Sequence, residues 1–197
     1  MDKKYNLKDK KIVLFAGKLT AFKGVKYLIQ AARKIPAEVL ILGEGPERAN
    51  LEKRTKDYGL KNVHFVGHLG TSNELNKFYK RATVFIAPSV WDEPLGLVIL
   101  EAMACKTPVV VTRKGGIPLA VKDGVNGYFV RPRNSSEIAE KVNLLLSSEE
   151  KRVKMAENAR RIVEQKFSWE MIAHRFILMY MRFAYFPKHK NYSNGKK

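Results

Sequence analysis

Several kinds of site are excluded by what this sequence lacks. It has one cysteine, Cys105, and four scattered histidines, so it offers neither an internal disulfide nor the clustered ligands of a zinc site. No uncharged apolar run approaches the ~18 residues of a membrane-spanning helix. No D-x-D pair is present to hold Mg²⁺ or Mn²⁺. We therefore expect no divalent metal and no cofactor, and the unpaired cysteine favours a reducing, cytoplasmic location.

Acidic residues are also scarce. Aspartate and glutamate together number 19 against 37 lysines and arginines, which gives a formal net charge of +18. Such a charge indicates an anionic partner, for which a nucleotide, a nucleic acid and an anionic lipid surface are the candidates. An alternative stays open, because a lysine-rich solvated surface produces the same charge without binding anything.

Strand and helix patterns alternate along the chain. Short apolar, β-branched runs predict six strands, and segments with helical spacing lie between them. No two-residue hairpin turn joins consecutive strands. The predicted fold class is therefore α/β, a Rossmann-like, doubly wound and mostly parallel sheet with helices on both faces. The six predicted strands are 12–16, 38–42, 63–66, 84–87, 109–112 and 127–130.

One domain accounts for most of the chain. The predicted divisions are a basic N-terminal extension (1–11), the Rossmann-like domain (12–186) and a basic, disordered tail (187–197). Three helical segments end the domain, each after a predicted serine N-cap: Ser135, Ser147 and Ser168.

The loops that follow the strands are where a ligand is expected, because open parallel sheets bind ligands beyond the carboxyl ends of their strands. In loop 17–24, Lys18 and Lys23 flank a turn that opens a helix, where backbone N–H groups favour a phosphate. Loop 43–48 begins like the dinucleotide fingerprint G-x-G-x-x-G, but Arg48 replaces its third glycine and the loop follows the second strand. A dinucleotide-dependent oxidoreductase is therefore disfavoured.

Two carboxylates lie eight residues apart around a predicted helix, 96–105. Glu93 precedes this helix, and Glu101 lies within its apolar stretch, where an anion needs hydrogen-bond donors or its pKa rises. The hydroxyl groups of a ligand are natural donors, and a nearby lysine is the structural alternative. Gly96 removes side-chain bulk where a ligand would approach the start of the helix.

The stretch EPLGLVILEAMACKTPVVVTRKGGIPLAVKDGVNGYFV (93–130) resembles the signature of the carboxyl-terminal domain of glycosyltransferase family 4. The GKLTAFKG loop, the GEGP loop, the carboxylate pair and the GGIP turn occur in the family's order, from about residue 12 to about residue 185. The resemblance implies the GT-B fold, in which two Rossmann-like domains face each other across a cleft. This chain would be one half of that fold, the half that binds the nucleotide-sugar donor, and the family retains anomeric configuration.

The resemblance also implies partners for this domain. The donor would be a UDP-, GDP- or ADP-linked sugar, from which a hexose is transferred. The acceptor-binding N-terminal domain would be missing, with residues 1–11 near the linker between the two domains. We expect the isolated chain to transfer no sugar, because only one wall of the cleft would be present.

The resemblance assigns roles to residues at the matching positions. Lys18 and Lys23 take the places that bind the diphosphate, and Glu93 faces the transferred sugar, so these three form the predicted catalytic set. Glu101 accepts hydrogen bonds from the ribose hydroxyls. The complete predicted donor-binding set is Gly17, Lys18, Lys23, Glu44, Leu69, Glu93, Leu95, Gly96, Leu97 and Glu101.

Within this set, backbone groups are implied at both ends of the donor. The backbone of Leu95, Gly96 and Leu97 would reach the sugar and the distal phosphate, while Leu69 and Glu44 would lie near the base. Transfer would proceed on the front face of the sugar without a protein nucleophile. Two positions depart from the family's pattern: Lys106 stands at a usual glycine and Leu119 at a usual glutamate.

The alternative function is a non-catalytic module that binds nucleic acid or protein on the same fold. Nucleic acid is the less expected partner, because most aromatic residues lie in strand or helix patterns and not among surface basic residues. The last predicted helix, 171–186, is apolar almost all round. Either it binds an anionic membrane surface, which would make the chain peripheral on the cytoplasmic face of a membrane, or it is a fully buried closing helix.

Overall fold

Six parallel strands form the centre of the structure, a computed structural model that describes residues 7–184. In chain order the strands are β1 (Ile12–Ala16), β2 (Glu38–Leu42), β3 (Val63–Gly67), β4 (Val84–Ala87), β5 (Val109–Thr112) and β6 (Gly127–Val130). Their order across the sheet is β3-β2-β1-β4-β5-β6, and each pair of neighbours is parallel.

The strands are buried on both faces of the sheet. Every residue of β1, β4 and β5 is buried, which explains why their sequences are continuous apolar runs without alternation. In β1, Val13 and Phe15 belong to one apolar core, whereas Ile12 and Leu14 belong to the other. Alternate side chains of a strand point to opposite faces, so the sheet separates two cores.

Helices cover both faces of this sheet. They are α1 (Val25–Ala32), α2 (Arg48–Asp57), α3 (Ser72–Arg81), α4 (Leu97–Ala104), α5 (Ile117–Ala120), α6 (Ser135–Ser147), α7 (Glu149–Lys166) and α8 (Trp169–Ala184). A short 3₁₀ turn, Ala21–Lys23, precedes α1. Helices α1, α2 and α6 contribute to one core, and α3, α4 and α5 contribute to the other. Helix α7 supplies Met155 to the first core and Ala159 to the second.

The strand order reverses at β1. The chain winds from β1 outwards to β3 and then returns to place β4 on the other side of β1. Connections therefore leave β1 and β4 in opposite directions, and a crevice opens beyond their carboxyl ends. The prediction of a doubly wound, Rossmann-like sheet with helices on both faces is confirmed, and the predicted strands agree with the structure except that β3 extends to Gly67.

Two of the three predicted N-caps are wrong by one residue. Asn134 caps α6 and Ser148 caps α7, each through a side-chain oxygen that accepts a backbone N–H three residues further on. Both caps have extended backbone, as an N-cap requires, whereas Ser135 and Ser147 are themselves helical. The prediction for Ser168 agrees with the structure, because its hydroxyl accepts a backbone N–H in the first turn of α8 at 3.3 Å.

Helix α8 keeps most of its side chains uncovered. The interpretation of this segment as a fully buried closing helix is therefore wrong for the described part of the helix.

No helix within residues 7–184 is long and apolar enough to cross a membrane. Residues 1–6, 185–186 and the predicted tail 187–197 lie outside the described residues. The exposed large apolar residues of α8 are Trp169, Phe176, Ile177, Leu178, Met179, Tyr180, Met181 and Phe183.

Candidate functional site

The crevice at the reversal of strand order is lined by loops that pair with one another. In the loop after β1 (17–24), the Gly17 N–H donates to the Leu42 carbonyl at 3.0 Å, and the Leu19 N–H donates to the Glu44 carbonyl at 2.8 Å. These bonds continue the pairing of β1 with β2 beyond the ends of the strands. The first and second loops are thereby held side by side.

Gly43 shows why the second loop begins with glycine. Its φ is +128°, and a Cβ at this position would lie 1.9 Å from the carbonyl oxygen of Gly17. No side chain fits at that distance, so any substitution would push the two loops apart. The close approach of two backbones forms one side of the crevice.

Lys23 and Glu93 meet across the reversal point. They are 70 residues apart in the chain, and Lys23 Nζ lies 2.5 Å from Glu93 Oε1. The side chains are 30% and 16% exposed. The Ser89 hydroxyl donates to the same carboxylate oxygen at 2.8 Å. The structure thus brings together two of the three predicted catalytic residues, one from the loop after β1 and one from the loop after β4.

A pocket of about 360 Å³ lies at the carboxyl ends of β1, β2 and β3. It is also lined by His68, which the sequence did not single out, and by Val98 in the first turn of α4. Lys18 is exposed, so its ammonium group is available to a ligand. The pocket brings together four predicted donor-binding residues, Gly17, Lys18, Glu44 and Leu69.

Glu44 has a partner within the protein. Its exposed carboxylate forms an ion pair with Arg48, which also pairs with Glu52 at 2.8 Å. Arg48 is the residue that replaces the third glycine of the dinucleotide fingerprint. Its role in the structure is therefore to anchor the start of α2 and to orient Glu44 at the edge of the pocket.

The surroundings of Glu101 differ from the prediction. Although its helix is apolar, Glu101 is exposed, and no ion pair joins it to a lysine within residues 7–184. Instead, the hydroxyl of the fully buried Tyr79 donates to Glu101 Oε2 at 2.9 Å. Burial, followed by the adjacent Glu101 charge, raises the pKa of Tyr79, so this hydroxyl stays protonated and remains a donor. Glu101 lies one helical turn beyond Val98, which lines the pocket.

The GGIP turn holds the backbone around Glu93. The Gly116 N–H donates to the Glu93 carbonyl at 2.7 Å. Gly115 has a φ of +52°, and a Cβ there would lie 2.0 Å from the same carbonyl oxygen. The two glycines therefore allow the turn to support the loop after β4 from behind, with backbone packed directly on backbone.

The start of α4 is open to the crevice. Gly96 is the N-cap residue, with φ +74°, and Leu97 is 66% exposed. Leu95 is half-buried against the second core and fixes this segment to the domain. The first N–H groups of a helix have no partner within the helix, so this end of α4 offers donors to an anion.

Neither of the two departures from the family pattern lines the pocket at the ends of β1, β2 and β3. Lys106 has φ +58°, in the left-handed region that favours glycine, just beyond the far end of α4. This conformation explains the usual glycine, and a lysine there is strained by roughly 1 kcal/mol. Leu119 lies on α5 and is 71% exposed.

Besides His68, three features of the site were not predicted from the sequence. The hydroxyl of Tyr79 gave no signal, because a tyrosine at helical spacing is typical of a core residue. Ser89 and Trp91 lie in the loop after β4, one of the loops where a ligand was expected, but their contacts were not predicted. Trp91 packs against Phe22 in the loop after β1, with ring centroids 5.3 Å apart.

Within residues 7–184, no group of three or more His, Cys, Asp or Glu side chains is placed to hold a metal ion.

Comparison with known proteins decides the family. The family model described as glycosyl transferases group 1 matches residues 1–162. The chain belongs to this family. A glycosyltransferase of Methanocaldococcus jannaschii is 41% identical over 177 residues, which is 87% of this chain and 45% of that protein. Spore coat protein SA of Bacillus subtilis is 32% identical over 194 residues, 91% of this chain and 51% of that protein. The chain thus spans about half the length of the curated relatives that it matches.

Solved structures give the same result for the fold. Anabaena HepE in complex with UDP matches with a TM-score of 0.85 and 26% identity, over 92% of this chain and 51% of that one. The C-terminal domain of LpcC, a glycosyl transferase group 1 family protein of Francisella tularensis, matches with a TM-score of 0.75 and 30% identity. That match covers 85% of this chain and 93% of the LpcC domain. The sheet and its helices therefore form a Rossmann-like domain of the kind found in GT-B glycosyltransferases.

Proposed function

We propose that this chain binds the nucleotide-sugar donor of a retaining, family 4 glycosyltransferase that transfers a hexose to an acceptor. The observation that carries the proposal is the meeting of Lys23 and Glu93 at 2.5 Å, in a site where Lys18 of the same loop lines the pocket at the ends of β1, β2 and β3. A cation next to a carboxylate suits the junction between a diphosphate and a sugar, because the cation binds phosphate oxygens and the carboxylate accepts from sugar hydroxyls.

The remaining residues give the donor a direction in the crevice. The base lies near Glu44 and Leu69, in the pocket at the ends of β1, β2 and β3. The ribose lies towards Glu101, whose carboxylate is oriented by Tyr79 and accepts from the ribose hydroxyls. The diphosphate reaches Lys18 and the start of α4, and the hexose lies at Glu93. In this arrangement the ligand follows the row of loops from one end of the crevice to the other.

Positive charge for the leaving diphosphate comes from the protein itself. Lys18 and Lys23 supply two ammonium groups, and the N–H groups of Leu97 and its neighbours supply the end of a helix dipole. We therefore propose donor binding without a divalent metal. The hexose is transferred on its front face, and no side chain is assigned as a nucleophile.

The comparisons support a nucleotide sugar as the ligand. HepE has been solved with UDP, with UDP and glucose, and with UDP-glucose. The close coverage of the LpcC C-terminal domain supports placing this chain in the carboxyl-terminal half of a GT-B enzyme. The acceptor would then bind mainly to the other half, and the chain alone would transfer no sugar.

Calorimetric titration with UDP, GDP and ADP and with their glucose conjugates tests the proposal. We expect one nucleotide to bind with unchanged affinity in EDTA. Lys18→Ala should weaken that binding by about 1.5–3 kcal/mol, the value of a hydrogen bond to a charged group. Lys154→Ala, which removes an exposed lysine of α7, is the matched control and should bind normally.

Two results would contradict the proposal. If none of the three nucleotides binds while the chain retains RNA in a salt-dependent manner, the non-catalytic alternative gains support instead. If EDTA abolishes binding, the metal-independent arrangement of Lys18, Lys23 and α4 is wrong.

A further inference from the structure

Two large aromatic side chains stand exposed beside the Lys23–Glu93 pair. Phe22 is 57% exposed and Trp91 is 64% exposed. Their ring centroids are 5.3 Å apart, and the ring planes are tilted by 54°. Phe22 directly precedes Lys23, and Trp91 lies two residues before Glu93, so the two rings border the end of the crevice where the hexose is placed.

Backbone contacts, and not burial of the rings, join the two loops that carry this pair. The Val90 N–H donates to the Phe22 carbonyl at 2.8 Å. Gly24 packs so closely on the other loop that a Cβ would lie 2.0 Å from the Pro88 carbonyl oxygen. The two loops that carry the rings are therefore held together, and the rings stay exposed although this costs hydrophobic free energy. Preorganised exposed aromatics are typical of a ligand site.

Polar groups of both signs adjoin the rings. Asp92 Oδ1 accepts from the Gly115 N–H at 3.0 Å, and Lys114 Nζ lies 3.7 Å from the same oxygen. The Asp92 side chain is 68% exposed, so it retains the capacity to accept from a ligand. Lys114 adds a donor at the same edge.

We infer that Phe22 and Trp91 form a carbohydrate subsite, on which a pyranose ring of the acceptor stacks while Asp92 and Lys114 bind its hydroxyls. This inference rests on the proposed function, because the subsite is continuous with Glu93. A pyranose has one face of C–H groups and a rim of hydroxyls. An aromatic face bordered by a carboxylate and an ammonium group matches both.

The same features disfavour other occupants. An acyl chain would have to lie against the charges of Asp92, Glu93 and Lys114, which lose hydration without gaining a partner. A nucleic acid would bring phosphates towards two carboxylates. The base of the donor belongs to the pocket at Glu44 and Leu69. The acceptor is therefore itself a sugar or carries one at its reactive end.

Fluorescence of Trp91 tests the subsite in the intact chain. Only Trp91 and Trp169 are tryptophans, so a Trp169→Phe variant reports on Trp91 alone. With the nucleotide that binds held at saturation, we titrate maltose and N,N′-diacetylchitobiose. We expect a saturable change of Trp91 emission. In the matched Trp91→Phe variant, which keeps a stacking ring, the emission of Trp169 should stay constant.

Substitutions distinguish stacking from general apolar contact. Trp91→Leu keeps an apolar side chain but no ring, and should weaken saccharide binding about tenfold, as measured by ligand-observed NMR. Trp91→Phe should bind nearly as well as the original chain. Nucleotide affinity should be unchanged in both variants.

The possible failures are separable. Saturable nucleotide binding together with no response of Trp91 to either saccharide, up to the limit of their solubility, would overturn the subsite and leave the proposed function intact. Equal saccharide affinity in Trp91→Leu and Trp91→Phe would also overturn it. Absence of nucleotide binding would instead reject the proposed function, on which the subsite depends.

Discussion

The Glu93→Gln substitution tests the separate roles of the two residues in the Lys23–Glu93 ion pair. The substitution removes the negative charge that lies 2.5 Å from Lys23 Nζ. It keeps the size of the side chain and an oxygen that can accept from the Ser89 hydroxyl. In the free protein Lys23 is engaged by Glu93, so a diphosphate must share this cation with a carboxylate. In the variant, Lys23 is available to the ligand.

The expected magnitudes follow from the exposure of the pair. Its side chains are 30% and 16% exposed, between an exposed pair worth about 0–1 kcal/mol and a buried pair whose disruption costs about 3–5 kcal/mol. The free energy of unfolding should fall by about 1 kcal/mol. A charge about 6 Å from a phosphate repels it by about 0.7–1.4 kcal/mol at an effective dielectric constant of about 40–80. The nucleoside diphosphate should therefore bind about three- to tenfold more tightly to the variant.

The sugar-bearing donor should not share this gain. It has the same relief of repulsion, but its sugar hydroxyl donates to a neutral amide oxygen, worth about 0.5–1.5 kcal/mol, in place of a charged carboxylate, worth about 1.5–3 kcal/mol. The two changes offset each other, so its affinity should stay nearly the same. Isothermal titration with UDP and UDP-glucose, or with the GDP or ADP pair that binds, measures both effects. Denaturant unfolding measures the stability.

A control and a refuting outcome are available. Glu140→Gln removes one exposed carboxylate from α6 and should leave both affinities unchanged. The reasoning is refuted if Glu93→Gln weakens the diphosphate and the sugar-bearing donor equally, because Glu93 would then neither compete for Lys23 nor face the sugar.

Two further predictions concern other parts of the chain. Glu101→Ala should weaken UDP and UDP-glucose (or their GDP or ADP counterparts) by the same factor of about tenfold or more, since the lost contact is to ribose; a calorimetric loss confined to the sugar-bearing form would contradict this role. Helix α8 presents exposed apolar residues with Arg175 and Arg182, so the chain should co-sediment with anionic vesicles at low salt, and Phe176→Glu should reduce that binding. A chain that ignores such vesicles would show that α8 serves only protein packing.

The sequence alone determined the sheet. Five of the six strands begin and end where their apolar runs do, from β1 (12–16) to β6 (127–130). Parallel strands covered on both faces are continuous apolar runs, so the first and last residues of each strand can be predicted from the local sequence. Strand–helix alternation then implies right-handed crossovers and loops gathered at one edge, and the proposed site was predicted there before any contact was known.

Other features depended on contacts between distant segments. The Lys23–Glu93 pair and the Phe22–Trp91 pair each join the loop after β1 to the loop after β4. Their formation requires β1 and β4 to be neighbours, and no local pattern specifies that. The hydrogen bond from the Tyr79 hydroxyl to Glu101 likewise joins α3 to α4. It orients a carboxylate that was expected in apolar surroundings but is exposed in the structure.

The N-cap residues of the helices and the exposure of α8 also depended on the tertiary structure. Serine and asparagine are nearly equal as N-caps, so residue preference does not choose between Ser135 and Asn134. In the folded chain the backbone is extended at Asn134 and already helical at Ser135. The sequence of α8 shows that it is apolar almost all round, which is compatible with burial or with exposure. Only the position of the helix relative to the two cores determines which, because burial needs a neighbouring surface and no described residue of α8 belongs to either core.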